Sequence, residues 1–401
     1  MPDWGVIVIK TILKTKSIIT GMDKEIINNG SILIEDNLIK KIFRKEKELK
    51  KYTLDNEVQI IDYTDNYILS GLIDCHTHLS IIPGKGNQIE QLKRSAPENI
   101  LRSIPNLYKN LDSGVTTLRV MGEENYIDLK IKEAINRGDL IAPRILGSGI
   151  GIVSVNGHGA ANTTCDGKSE IVKQIRENFY RGADQIKLFV TGGISTPDST
   201  LNLASYSKKE VKTAVEEAKR AGSYIAAHVH GGKGMDICIE NNVRTLEHAA
   251  YINSEQLKEV INKNLWIIGT FSILFHKYGI EKSDFTNNKI KDKVLEARKF
   301  IKENFQKVLE SGVNFAVGTD SMHGLIKEEI KFVHELGLDK YSALKTATSN
   351  AARACKIEHK LGTIEVGKIA DLLVLKDNPL EDLNNLDSIR AVFKDGIKIR
   401  G

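Results

Sequence analysis

The chain has 401 residues, 41% of them apolar, which is enough for a large core: a barrel of about 250 residues plus a smaller module. Its 57 basic and 52 acidic side chains leave a net charge of +5, near neutral for this length and without a basic block, so neither a nucleic-acid nor a membrane partner is expected. Cys75, Cys165, Cys238 and Cys355 are far apart with no CxxC, which argues against a disulfide framework or a thiolate zinc site.

Residues 1–66 read as short strands: Gly5–Leu13, Gly30–Glu35, Leu38–Phe43 and Val58–Asp62, punctuated by turn residues such as Asn28-Asn29-Gly30. The run Val6-Ile7-Val8-Ile9 is stopped by Lys10 and suits a strand better than an export segment. Arg44–Lys51 reads as a solvated turn. From residue 67 the texture alternates. Eight apolar strands are expected at Tyr67–Ile73, Gly114–Val120, Arg144–Gly147, Gln185–Val190, Tyr224–His228, Arg244–Glu247, Leu265–Thr270 and Val313–Gly318. Amphipathic helical stretches such as Glu170–Arg181, Lys208–Gly222 and Ser254–Asn264 separate most of them. Residues 361–401 return to short strands at Ala370–Leu375, Ala391–Lys394 and Ile397–Arg400, with Asp395-Gly396 as a hairpin signal. The expected fold class is α/β: a (β/α)8 barrel from residues 67–360, with a composite β-sandwich built from 1–66 and 361–401. A doubly wound sheet would carry a Gly-rich turn after its first strand, where this chain has His-Thr-His. No run of about 18 apolar residues occurs, and the expectation is a soluble cytoplasmic protein.

Barrel enzymes carry their chemistry where strands end. Those positions hold Asp74-Cys75-His76-Thr77-His78, Lys187, His228-Val229-His230, Glu247-His248 and Thr319-Asp320-Ser321. His-x-His on an extended segment puts two imidazoles on one side, half of a divalent-ion site. A lysine ammonium in the apolar strand around Lys187 would be buried and would repel the ions. Converted by carbon dioxide to a carbamate, it becomes an anionic bridge instead.

The ordered set resembles the amidohydrolase superfamily, in the imidazolonepropionase-like branch that contains Xaa-Pro dipeptidases and arginine-type carboxypeptidases. The closing run from Gly362 to Leu372 is typical of that family's second domain. The resemblance implies two divalent ions, zinc first, with manganese, iron or cobalt open. It places His76, His78 and Asp320 on one ion, His228 and His248 on the other, and the carbamate of Lys187 between them. It implies that a bridging hydroxide attacks the carbonyl carbon, and that Asp320 carries the proton to the leaving amine. The implied substrate is a small molecule, foremost a dipeptide or N-acyl amino acid. The alternatives are another small amide, cyclic amide or ester, or a nucleobase-type ring for deamination. Deaminases of the superfamily carry a glutamate three residues after the strand-five histidine, where this chain has Gly231. A homo-oligomer stays possible.

His228 and His230 are expected to diverge; the resemblance favours His228 as ligand and leaves His230 for substrate. His158, in a glycine-rich loop after strand three, is a second substrate candidate. Arg119 is expected in a structural ion pair, Gly192-Gly193 at a close backbone approach, and His323 at the rim. His276, His334 and His359 are read as structural.

Overall fold

The computed structural model describes residues 10–49, 52, 58–284 and 286–401. The Val6–Ile9 run, the start of the expected Gly5–Leu13 strand and the end of the expected Arg44–Lys51 turn lie outside the described residues.

Both chain ends feed one eight-stranded sheet. Lys10–Ile19, Ile26–Asn28, Ser31–Glu35, Leu38–Phe43 and Val58–Ser70 come from one end, and Leu372–Leu375, Ile389–Lys394 and Ile397–Arg400 from the other. The halves join where Leu372–Leu375 runs antiparallel to Tyr67–Ser70. One core serves both: Leu13, Ile32, Ile34 and Ile68 pack with Leu372, Val374 and Phe393. The Asp395-Gly396 turn has φ of 51° and 77°, the two positive values a tight type I′ hairpin requires.

The rest is a TIM-barrel-like α/β unit. Leu72–Thr77, Val115–Val120 and Arg144–Leu146 form one parallel arc. Ile186–Phe189, Ile225–Val229, Thr245–His248, Trp266–Gly269 and Asn314–Val317 form a second. A parallel bridge from Ile152 to Leu188 joins the arcs on one side. On the other, the Asp320 amide donates to the His76 carbonyl at 2.7 Å. These strands are buried on both faces, so they read as continuous apolar runs rather than alternations.

The expected strand Tyr67–Ile73 is two strands. Val58–Ser70 belongs to the terminal sheet, and Leu72–Thr77 opens the barrel. Gly71 marks the break: its amide donates to the Asp371 carbonyl at 2.8 Å, and a Cβ there would lie 2.3 Å from Thr116 Oγ1. Ile68 to Ile73 is buried throughout, so the apolar pattern carries no sign of the change of sheet. His76 therefore sits on the first barrel strand and His78 one residue past its end.

Between the seventh and eighth barrel strands the chain makes a long excursion through helices Ser272–Phe275, Ile280–Asp284 and Asn288–Glu310. The Asn287 side chain caps the last of these by accepting from the amides of Lys289 and Ile290. Its buried stripe, Ile290, Val294, Ala297, Ile301, Phe305 and Val308, recurs every three or four residues and turns toward the barrel core. Among the described residues no helix is long and apolar enough to cross a membrane.

Candidate metal centre

His76 and His78 are both buried, and each ring is fixed by a partner on Nδ1. His76 Nδ1 lies 2.8 Å from Glu247 Oε2, and His78 Nδ1 lies 2.8 Å from the Gly122 carbonyl. Both partners accept, so the proton belongs on Nδ1 and each Nε2 offers a lone pair. Those two Nε2 atoms lie 3.5 and 3.8 Å from Asp320 Oδ1. One ligand atom from each of the three residues falls within 4.8 Å of the others, a group that could hold a metal ion. Burial, with help from the Lys187 ammonium, pushes the His76 imidazole well below its usual range and His78 down to about 3. Neutral imidazole is the form that binds metal.

Lys187 is fully buried in the fourth barrel strand, with Nζ 3.4 Å from His76 Nε2. Burial lowers its pKa to about 8. Among the described residues no carboxylate lies within ion-pair reach of this ammonium. An unpaired buried charge is costly, which makes Lys187 the most anomalous side chain of the site.

The second group of imidazoles is contiguous with the first. Ring centroids lie 4.7 Å apart for His76 and His248, and 4.7 Å for His228 and His248. His248 Nδ1 is 2.7 Å from Thr270 Oγ1, leaving Nε2 toward the ring of histidines, while His228 Nε2 faces the Gly192 carbonyl at 3.2 Å. His228 and His230 do not diverge as expected: their rings are 4.8 Å apart and both line the cleft. Residues i and i+2 of an extended chain share a side, which is the physical reason. His230 Nδ1 is buried without a partner, and His158 packs 4.6 Å from His228 with its own Nδ1 2.7 Å from Thr196 Oγ1. Gly193 allows that approach, since a Cβ there would lie 2.3 Å from the His158 ring. The structure thus brings His76, His78, His158, Lys187, His228, His230, His248 and Asp320 to one cleft.

His323 is not a cleft residue; its Nε2 lies 3.0 Å from the Ile81 carbonyl, where it anchors the loop after the first strand. His334 Nδ1 is likewise engaged with the Leu338 carbonyl at 2.6 Å.

Two carboxylates with no role in the sequence reading hold the ring in place. Glu247 accepts from Arg119 Nη2 at 2.9 Å on both oxygens while gripping His76, and all three side chains are fully buried. Arg119 also reaches the Thr245 hydroxyl and the Cys75 carbonyl. Asp74 accepts from the amides of His76 and Thr319, both at 3.0 Å, and from the Thr319 hydroxyl at 2.6 Å, so it locks the first strand to the last. The signal for Glu247 was an acid inside an apolar strand, at the position alternating with Thr245. His248 and Asp320 have φ of 71° and 47°. Non-glycine residues in the left-handed region cost about 1–3 kcal/mol and cluster at functional sites.

Imidazoles, a lysine and a carboxylate gathered on parallel barrel strands and the loops that follow them mark the place where barrel enzymes keep their active site. The chain belongs to the amidohydrolase family, hydrolases of carbon–nitrogen bonds, whose model matches residues 67–398. It is similar to ochratoxinase of Aspergillus niger, 27% identical over 418 residues, covering 95% of this chain and 84% of that protein. An imidazolonepropionase of Picrophilus torridus is 23% identical over 97% of this chain and 98% of its own length. Among solved structures, a Xaa-Pro dipeptidase with methionine bound in its active site superposes with a TM-score of 0.88 at 28% identity, covering 98% of this chain and 100% of that one.

Proposed function

We propose that the protein hydrolyses the amide bond of a dipeptide or N-acyl amino acid at a site for two divalent ions. The observation that carries this reading is Lys187: a fully buried amine among imidazoles, with no carboxylate within ion-pair distance among the described residues. As a carbamate it would become an anion between two groups of neutral histidines and resolve that conflict. His76, His78 and Asp320 would then hold one ion, and His228 and His248 the other, with the carbamate shared. Histidine and oxygen donors suit zinc. Bound ions of this kind lower the pKa of water to around 7 and polarise a carbonyl.

The chain's own residues supply the rest. Asp320, part-buried between His76 and His78, is placed to accept a proton and return it to the leaving amine. Glu247 and Asp74 keep the rings in register. His158 and His230 would hold the substrate carboxylate; among the described residues His230 Nδ1 has no hydrogen-bond partner, and burial, with smaller help from the Lys187 and Lys293 ammonium groups, keeps both rings neutral.

A panel of dipeptides and N-acyl amino acids, each as free acid and as C-terminal amide, tests this on metal-loaded protein. Free acids are expected to be cleaved and their amidated forms to be poor. Hydrogen bonds to a charged group contribute about 1.5–3 kcal/mol, so His158→Ala and His230→Ala should each lose roughly 10–150-fold in kcat/KM on free acids, with metal content unchanged. Equal cleavage of acids and amides would favour a hydrolase of neutral amides or esters. Loss of an ion on His230→Ala would move the ligand assignment from His228 to His230.

A further inference from the structure

The cleft has a ring of imidazoles at its base and one apolar side. Ile81 and Leu92 come from the segment after the first barrel strand; Ile273, Leu274, Ile280 and Ile301 come from the excursion between the seventh and eighth strands. All six are largely buried yet line the cleft. Among the described lining residues the charged side chains are Lys187 and Asp320, both already part of the site.

The excursion is not poor in charge, and several of its charges are engaged elsewhere. Arg298 pairs with Glu281 at 2.7 Å, and Lys289 with Asp198 at 2.5 Å. Lys293 donates to the carbonyls of Thr196 at 2.7 Å and Ser199 at 2.5 Å. Lys289 and Lys293 of the helix Asn288–Glu310 thus reach the loop after the fourth strand, while Ile301 and its stripe are buried. A cationic substrate side chain on this wall would lose its water and find no anion among the described lining residues beyond Asp320, which already belongs to the site, with the Lys293 ammonium nearby. A branched aliphatic or aromatic side chain would exchange water for Ile and Leu surface.

We infer that the substrate carries, beside the scissile amide, a bulky apolar side chain that docks on this wall, and that lysine- and arginine-type substrates are rejected. This rests on the amide-hydrolase reading above and narrows it.

The test is a series with one N-acyl group and alanine, leucine, phenylalanine, lysine or arginine as the amino acid, read as kcat/KM. In parallel, the free amino acids are compared for the shift they cause in the melting midpoint, a readout that needs no turnover. Leucine and phenylalanine should exceed alanine by at least about tenfold, as expected for well-seated hydrocarbon, and exceed lysine and arginine by more. They should also give the larger melting shifts. Ile280→Ala should lower kcat/KM for the leucine and phenylalanine substrates by a larger factor than for the alanine substrate. Ile280→Glu, which places an anion in the wall, should shift the leucine-to-arginine ratio toward arginine by at least about tenfold. Flat rates and flat melting shifts across the series would overturn the inference, as would a native preference for arginine or lysine. Melting shifts that favour leucine, with no amide cleaved, would keep the apolar wall and reject the hydrolysis instead.

Discussion

Asp320→Asn should leave a folded protein with turnover reduced by about 10²–10⁴-fold, the contribution typical of a general base. The substitution keeps the size of the side chain and its Oδ1, and the Asp320 backbone amide still donates to the His76 carbonyl. What changes is the ability to take a proton, which an amide oxygen lacks at neutral pH. The expected loss corresponds to about 2.7–5.4 kcal/mol of barrier at 1.36 kcal/mol per tenfold. That is large against any reorganisation of an isosteric group. In the metal-free site burial raises the Asp320 carboxyl to about 6, against the opposing pull of the Lys187 ammonium. Turnover within about threefold of native in metal-loaded Asp320→Asn would remove this residue from proton transfer.

Arg119→Met should be the most destabilising single change at the site. Arg119 and Glu247 are fully buried and joined by two 2.9 Å hydrogen bonds. Removing one partner of a buried pair costs about 3–5 kcal/mol, because the other charge is left in a low-dielectric interior. The Glu247 carboxylate would keep only His76 and the Thr245 hydroxyl, and the orientation of His76 would loosen with it. Outer partners of a metal-binding histidine typically control affinity 10–100-fold, so weaker retention of metal should accompany the lower denaturant midpoint. The double variant Arg119→Met with Glu247→Leu removes both charges and should recover stability but not metal retention. An Arg119→Met protein as resistant to denaturant as the native chain would show that the pair does not hold the ring.

Most of the residues gathered at the cleft were legible because barrel chemistry sits at strand ends: His76, His78, His228, His230, His248 and Asp320 lie within three residues of one, whereas Lys187 is inside the fourth strand and His158 lies in the loop after the third. The order of His-x-His, lysine, histidine, histidine and aspartate needs no contact information to be read. Residues that act through long-range contacts were not legible. Glu247 meets His76 across 171 positions and Asp74 meets Thr319 across 245, and nothing local in the sequence encodes either pairing. The first barrel strand was placed early because Ile68 to Ile73 is buried in two different sheets without a break in polarity. The apolar wall was missed for a related reason: Ile273, Leu274, Ile280 and Ile301 look like ordinary core residues until the fold shows which of them border the cleft.

The proposed two-ion reading of the site is tested most directly by its metal stoichiometry. Protein purified without chelator and loaded with zinc should retain two divalent equivalents per chain after desalting, and Lys187→Ala should retain fewer and be inactive. One equivalent in native protein at full activity, or two equivalents and full activity in Lys187→Ala, would contradict it.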